Sequence, residues 1–412
     1  MRISLDRARR LWLASLILCL LVTSLSGCAG LAPTPEPTEC LFVHHTGETE
    51  HYQALADVFQ EQNPHITIRL QASGAENADA FVDLPFDMAT WLADNRIMSL
   101  DPFMEGDASF QRDDLYPGTL EVFSDGGKTW AIPAGLDPVM MYYNQNLFDQ
   151  HDLAYPEAGW TWDDFLNAAV AIRDPDAGVF GYAAPGEFET IDVVNFMYQH
   201  GGRIVDDLSN PTTVTFDDPM NVEALDWYAR LVNEYNVIPT EEQAREAFEL
   251  GGGNVYAGVI GGKVGMWMGW FSQRGNDPSL ERLRAGMVPL PRDAQPATLA
   301  TGEGYFISSK AKDPEACWQW ISFLSKQVPK SLVPARRSVA ESAQYKQFAG
   351  EEAAAAARAA IANATVVTPE IARLIPVLGI LARAVEDAIN GRRTPADALN
   401  AAQQQAGSLL GQ

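Results

Sequence analysis

Basic residues are scarce in this 412-residue chain: 29 Lys and Arg stand against 54 Asp and Glu, a formal net charge of −25. Such a deficit argues against nucleic acid or anionic lipid as partners, since both select clusters of Lys and Arg. Cysteine is also rare. Cys19, Cys28, Cys40 and Cys317 form no Cys-x-x-Cys pair, and the only histidine doublet, His44-His45, would point its rings to opposite faces of a strand. No metal centre and no cofactor are expected from that set. The main apolar run, Leu11 to Leu25, has 15 residues, short of the ~20 that span hydrocarbon as a helix. A membrane-spanning anchor is therefore disfavoured. Gly251-Gly252-Gly253 and Gly261-Gly262 lack the lysine-containing phosphate-loop pattern and read as flexible turns. No glycosidase motif is visible. From Ala349 onward there is no Phe, Trp or Tyr.

What is present begins with an export signal. Arg2, Arg7, Arg9 and Arg10 precede the apolar run, which ends in Leu25-Ser26-Gly27-Cys28; a basic segment, a short apolar core and small residues before a cut are the features of a secretory leader. Leu-Ser-Gly-Cys resembles the lipobox of bacterial lipoproteins, which implies cleavage after residue 27 and lipidation of Cys28. Removal of residues 1–27 leaves 25 Lys and Arg against 53 Asp and Glu, a net charge of −28. Residues 28–39 hold Pro33, Pro35 and Pro37 among threonines and read as an extended tether. The remainder exceeds one average core and suggests two domains.

Strand and helix signals alternate along it. Leu41 to Val43 reads as a strand, Thr49 to Gln62 as a helix stopped by Asn63-Pro64, Ile66 to Leu70 as a second strand and Asp87 to Thr90 as a third. An α/β layer architecture follows. Glu351 to Ala364 is alanine-rich and predicts a helix.

Several segments then resemble a known family in its own order. They are Tyr142-Tyr143-Asn144 before Thr161-Trp162-Asp163-Asp164-Phe165; Gly201 to Asp206 with Phe216 to Pro219; Gly262 to Trp270; Gly302 to Ser308 with Pro314 to Leu324; and Gly391 to Leu399. This pattern is similar to that of extracellular solute-binding proteins of family 1, the maltose-binding-like cluster. Locally, Thr161 is placed to cap a helix whose first turn carries Asp163 and Asp164, and Trp162 reads as core.

The resemblance implies a two-lobed periplasmic-binding-protein-like α/β fold with several crossover strands and a ligand cleft between the lobes. Residues 40–139 and 297–333 would form the N-terminal lobe, and 140–296 and 334–412 the C-terminal lobe. Crossings are expected near Leu136 to Met140, Ala297 to Thr301 and Val333 to Ala335. The implied role is the substrate-binding subunit of an ABC-type importer, not an enzyme. It would be a lipid-anchored, exported monomer that closes on a mono- to trisaccharide and delivers it to permease subunits. Ligand-binding candidates are Trp270 and Trp267 on the Gly262 to Trp270 segment, Glu189 ahead of a helix, Gly47 and Glu48 before the first helix, Thr90 at the end of strand three, and Glu303 between Gly302 and Gly304. Packing or helix-start roles compete for Trp267 and Glu189. The family's lobe layout also brings Cys40 and Cys317 into one lobe, where a disulfide competes with two separately buried thiols.

Two departures from the pattern stand out. The chain is short between Leu70 and Asp87, so a helix there is small or missing, and Leu378 stands near the place of a late aromatic ring in oligosaccharide binders. The missing ring favours a smaller or different ligand, and the short stretch bears on the first lobe's side of the site. A secreted carbohydrate-active hydrolase and an orphan ligand-sensing lipoprotein remain as alternatives.

Overall fold

A computed structural model describes residues 36–184, 188–208, 211–248, 254–367 and 371–409. Cys28 and Gly251 to Gly253 lie outside the described residues. Strand β1 (Thr38–His44) opens the first lobe and is followed by helix α1 (Thr49–Gln62). Helix α1 buries Tyr52, Ala56 and Phe59, spaced at i, i+4 and i+7 on one face. It ends at Asn63, whose side-chain amide donates to the Phe59 carbonyl just before Pro64. Strand β2 (Ile66–Ala72) buries Ile66 and Ile68 while Thr67 and Arg69 face solvent, as a half-covered strand requires.

The third strand is not where the sequence pattern suggested. Strand β3 is Ala80–Asp83, and the segment expected to be extended, Asp87 to Thr90, leads into helix α2 (Met88–Ala93). Ala80, Phe81 and Val82 are all buried, so this strand shows a continuous apolar run without alternation. Pro85 then starts a tight turn, and Met88 and Trp91, three apart, face the core as helical neighbours do. Between β2 and β3 there is only one helical turn, Ala75–Asn77, in accord with the short chain there.

Strand β4 (Ala131–Asn144) is buried along its whole length and runs from the first lobe into the second. The second lobe adds α3 (Trp162–Ile172), β5 (Phe180–Tyr182), α4 (Phe188–Gln199), α5 (Pro219–Asn233), β6 (Val264–Trp270) and β7 (Ala285–Val288). Thr161 caps α3 in a full capping box with Asp164. Trp162 stacks on Trp227 with ring centroids 4.2 Å apart, so it is a core residue of this lobe.

Strand β8 (Thr298–Ile307) returns to the first lobe, where α6 (Pro314–Leu324) packs. The chain then adds α7 (Glu351–Ile361), β9 (Ala364–Val366), α8 (Ile371–Ile389) and α9 (Pro395–Ala406). The main sheet has the order β2-β1-β3-β8-β4-β6-β5, with β7 also on β4 and β9 on β8. Strands β4 and β8 thus sit at its centre and belong to both lobes. Leu136 of β4 also forms an isolated antiparallel bridge with Val333. The strands approach so closely there that a Cβ at Gly135 would lie 2.6 Å from Leu332 Cβ, which only glycine avoids.

Each lobe has its own core. Phe42, Tyr52, Phe59, Ile132, Tyr305 and Trp320 gather in the first, and Phe165, Phe196, Tyr228, Leu381 and Leu399 in the second. Cys40 on β1 and Cys317 on α6 are joined by a disulfide, with Cα atoms 5.4 Å apart and both residues fully buried.

Candidate functional site

Parallel strands end their side of a sheet with loops that gather side chains, and both lobes present such ends toward the crossing strands. In the first lobe the β1–α1 loop carries His45, Gly47 and Glu48. Gly47 has φ +91°, a conformation that favours glycine, and its carbonyl accepts from Lys330 Nζ at 2.8 Å. Glu48 precedes α1 without using its side chain as a cap, so the half-buried carboxylate is available for other partners. Asp83 closes β3, and its Oδ1 accepts from the Leu84 N–H at 2.8 Å.

The crossing strands supply the floor. In their antiparallel register Asp137 stands opposite Thr301, and Gly135 opposite Glu303. Residues two apart on a strand share a face, so Asp137, Thr301 and Glu303 emerge on one side. A register shift between Glu303 and Gly304 follows at once, the kind of irregularity that re-aims a side chain. The second lobe closes the other side through the end of β6. There Phe271 N–H donates to Pro138 O at 3.0 Å and Ser272 N–H to Asp137 Oδ1 at 2.9 Å. Trp270 pairs with Val139, is half-buried, and has its carbonyl held by Tyr142 Oη at 2.8 Å.

The electrostatics of this floor are uniform in sign. Burial first, and then the charges of Glu48, Asp137 and Asp83, together raise the Glu303 carboxyl to about 8. Burial likewise lifts Asp137 to about 6 against the hydrogen bonds from Ser272 and Phe271. Asp83 is raised by burial too, with Asp87 adding to the shift while the Leu84 bond and His45 oppose it. His45 Nε2 stands 3.5 Å from Glu303 Oε1. A small enclosure of about 10 Å³ lies among Glu48, Tyr52, Glu303, Tyr305 and Leu332, room for about one water.

A roomier groove of about 740 Å³ adjoins it, lined by Tyr142, Phe271, Arg274, Lys330, Leu332 and Tyr345, so that Lys330 and Leu332 border both. Two more lie on other surfaces. One of about 800 Å³ is lined by Trp162, His200, Glu223, Trp227 and Arg292, and another of about 740 Å³ by Phe103, Trp318 and Lys326. Neither meets the crossing strands. Among the described residues no group of His, Cys, Asp and Glu is arranged to hold a metal ion.

The residues singled out from the sequence separate clearly on this frame. Glu48 and Glu303 line one enclosure with Gly47 in the same loop, while Trp270, at the end of β6, packs half-buried against the second core. Trp267 does not join them: it is fully buried and its ring stacks on Tyr142 at 5.8 Å, because it lies three residues before Trp270 and so projects from the opposite face of β6. Thr90 does not end a strand. It is the third residue of α2 and is exposed, and the strand-end position belongs to Asp83. Glu189 lies in the first turn of α4 rather than ahead of it, and its side chain is outside the described residues. Leu378 is partly buried against the second core. Asp83 and Asp137 were not singled out. A hint existed in Asp137, an acidic residue followed by proline within an apolar run, but only strand register connects it to Glu303.

Two lobes with separate cores, shared central strands and a polar floor between them define a two-lobed binding protein. The sequence pattern of the bacterial extracellular solute-binding protein family matches residues 45–327, and the chain belongs to that family. It is an exported solute-binding protein. An ABC transporter extracellular-binding protein of Pyrococcus horikoshii is 23% identical over 356 residues, with 77% of each chain covered. The mannitol-binding protein of Pseudomonas aeruginosa is 27% identical over 202 residues, covering 44% of this chain and 45% of its own. The ABC substrate-binding protein of Listeria monocytogenes in complex with cycloalternan superposes with a TM-score of 0.72 at 19% identity, covering 91% of this chain and all of the other.

Proposed function

We propose that this protein is the substrate-binding subunit of an ABC-type importer. On this reading it captures a sugar-like solute, a mono- to trisaccharide, between its lobes and catalyses no reaction. The gathering of Glu48, Asp83, Asp137 and Glu303, with the half-buried Trp270 at the end of β6, carries the reading. Carboxylates accept hydrogen bonds from hydroxyls, and an indole face packs on the C–H face of a pyranose ring. A sugar presents both surfaces. The mannitol-binding relative and the cycloalternan-bound neighbour support the same class.

Closure would bring the β6 end of one lobe onto the loops of the other, since only the closed form lets both touch the ligand. The lobe division is taken as 40–139 with 297–333, and 140–296 with 334–412. Cleavage after residue 27 would leave Cys28 to carry a lipid, followed by the tether 28–39, and hold the monomer at the outer face of the cell membrane beside its permease. Mass spectrometry of the mature N-terminus tests that anchor: an unmodified Cys28, or cleavage elsewhere, refutes it.

A thermal-shift screen against sugars, polyols, peptides and metal ions tests the ligand class, because a ligand that binds only the folded state raises its melting temperature. Sugars or polyols should raise it. Hits confined to peptides or metal ions would refute the assignment.

A further inference from the structure

The groove beside the small enclosure holds a hydroxyl with nothing to bond. Tyr345, on the helix Ala343–Ala349, is fully buried and lines this space of about 740 Å³, yet its Oη has no hydrogen-bond partner. Buried polar groups are normally paired, because leaving one unpaired forfeits the bonds it made to water. Burial keeps the Tyr345 proton on, and the charges that oppose this are those of Arg274 and Arg358. The hydroxyl therefore sits in a positive field. Arg274 gives one N–H to the Ala349 carbonyl at the end of the same helix, and Arg358 gives one to the Ala340 carbonyl at 3.3 Å. The arginine ion pairs among the described residues belong to Arg69, Arg230, Arg284, Arg336, Arg392 and Arg393. Arg274 thus lines the groove half-buried, with its charge unanswered and donors to spare.

Capping a helix end accounts for one N–H of Arg274, but not for the orphaned hydroxyl that lines the same space. The rest of the lining sets the other features of a ligand. Phe271, Leu280 and Leu332 are buried walls, and Phe348 borders the groove while 56% exposed. Glu281, Glu351 and Glu352 border it too, but all three are exposed to water, which screens them; they disfavour a doubly charged anion more than a singly charged one. Lys330, the remaining cation, directs its ammonium to the Gly47 carbonyl. The volume is in the range of small-molecule sites. Going beyond the sugar-binding reading, we propose that this groove is a second solute site, which takes a small monocarboxylate with an apolar body and holds the carboxylate between Arg274 and the Tyr345 hydroxyl. The guanidinium fork matches the two oxygens of a carboxylate, and Tyr345 donates the hydrogen bond it lacks. An amine would bring donors to donors. A neutral alcohol takes the Tyr345 hydrogen bond but leaves the charge of Arg274 unanswered.

Calorimetry on the mature protein with two matched trios tests this: 3-phenylpropionate, 3-phenylpropanol and 3-phenylpropylamine, and hexanoate, hexanol and hexylamine. In at least one trio the acid should bind saturably and at least about tenfold more tightly than the alcohol, the scale of a charge-assisted contact, with the amine weaker still. Arg274→Gln should abolish that preference. Tyr345→Phe should cut it severalfold without lowering Tm, because the hydroxyl it removes bonds to nothing, and it carries the test if the first variant does not fold. No saturable binding of either acid, binding no tighter than that of the alcohol, or a preference unmoved by both variants overturns the proposal. The sugar reading is tested separately by the screen of sugars and polyols, so the two fail independently.

Discussion

Replacing Glu303 by glutamine should stabilise the ligand-free protein, and the gain should grow with pH. The Glu303 carboxyl ionises near 4.5 in the open chain and near 8 when folded. Between those values the unfolded state has released a proton that the folded state still holds. Folding then carries a cost that rises with pH, absent below about 4.5 and complete above about 8. Each pH unit in that window is worth about 1.4 kcal/mol, so the cost is about 3 kcal/mol at pH 7 and about 4 kcal/mol at pH 8. With only 23% of the side chain exposed, solvent screens little of it. Glu303→Gln removes the ionisation and keeps the shape. At about 2–4 °C per kcal/mol for a lobe of this size, Tm should rise by roughly 6–12 °C at pH 7 and hardly at all at pH 4. Asp137, raised to about 6, acts in the same direction in both proteins and largely cancels in the difference. Circular-dichroism melts of the two proteins from pH 4 to 8.5, without ligand, measure the effect. Parallel Tm profiles, or a gain that shrinks as pH rises, would refute the reasoning.

Three further outcomes follow from the same geometry. Trp270→Ala should weaken ligand binding by roughly 1–4 kcal/mol, the range of a lost aromatic anchor, with the fold retained; calorimetry showing intact affinity beside a collapsed Tm would make Trp270 a core residue. Trp267→Ala should do the reverse, costing about 3–5 kcal/mol of stability as large buried side chains do, and a denaturation curve that matches wild type would contradict its burial against Tyr142. The Cys40–Cys317 disulfide closes a loop with a sequence separation of 277 and should contribute roughly 2–5 kcal/mol in the chain-entropy account. A double Cys→Ser variant should melt lower by a corresponding margin, and non-reducing peptide mapping that finds both thiols alkylated would remove the bridge.

Much of the scaffold was legible in the chain. The helix at Thr49–Gln62 begins and ends where the pattern and Asn63-Pro64 indicate, because both termination and amphipathic spacing are local properties. Thr161 and Asp164 announce a capping box for the same reason. The misplaced third strand shows where locality stops. Ala80-Phe81-Val82 is too short and too evenly apolar for periodicity to tell strand from helix, while Met88 to Ala93 carries the spacing of either.

The site divides along the same line. Family resemblance and glycine context led to Glu48 and Glu303, which line one enclosure, whereas Trp267 and Trp270, three residues apart, could be told apart only by which face of β6 meets the second core. Asp83 and Asp137 look in sequence like two of 54 carboxylates. Sequence alone determined the exported class, the alternating elements and the family, since these rest on local composition and ordered motifs. Only the tertiary structure decided which acids share a floor. Strand register, which pairs Asp137 with Thr301 and Gly135 with Glu303, joins residues more than 160 positions apart, and no local preference of the chain encodes a distance between them.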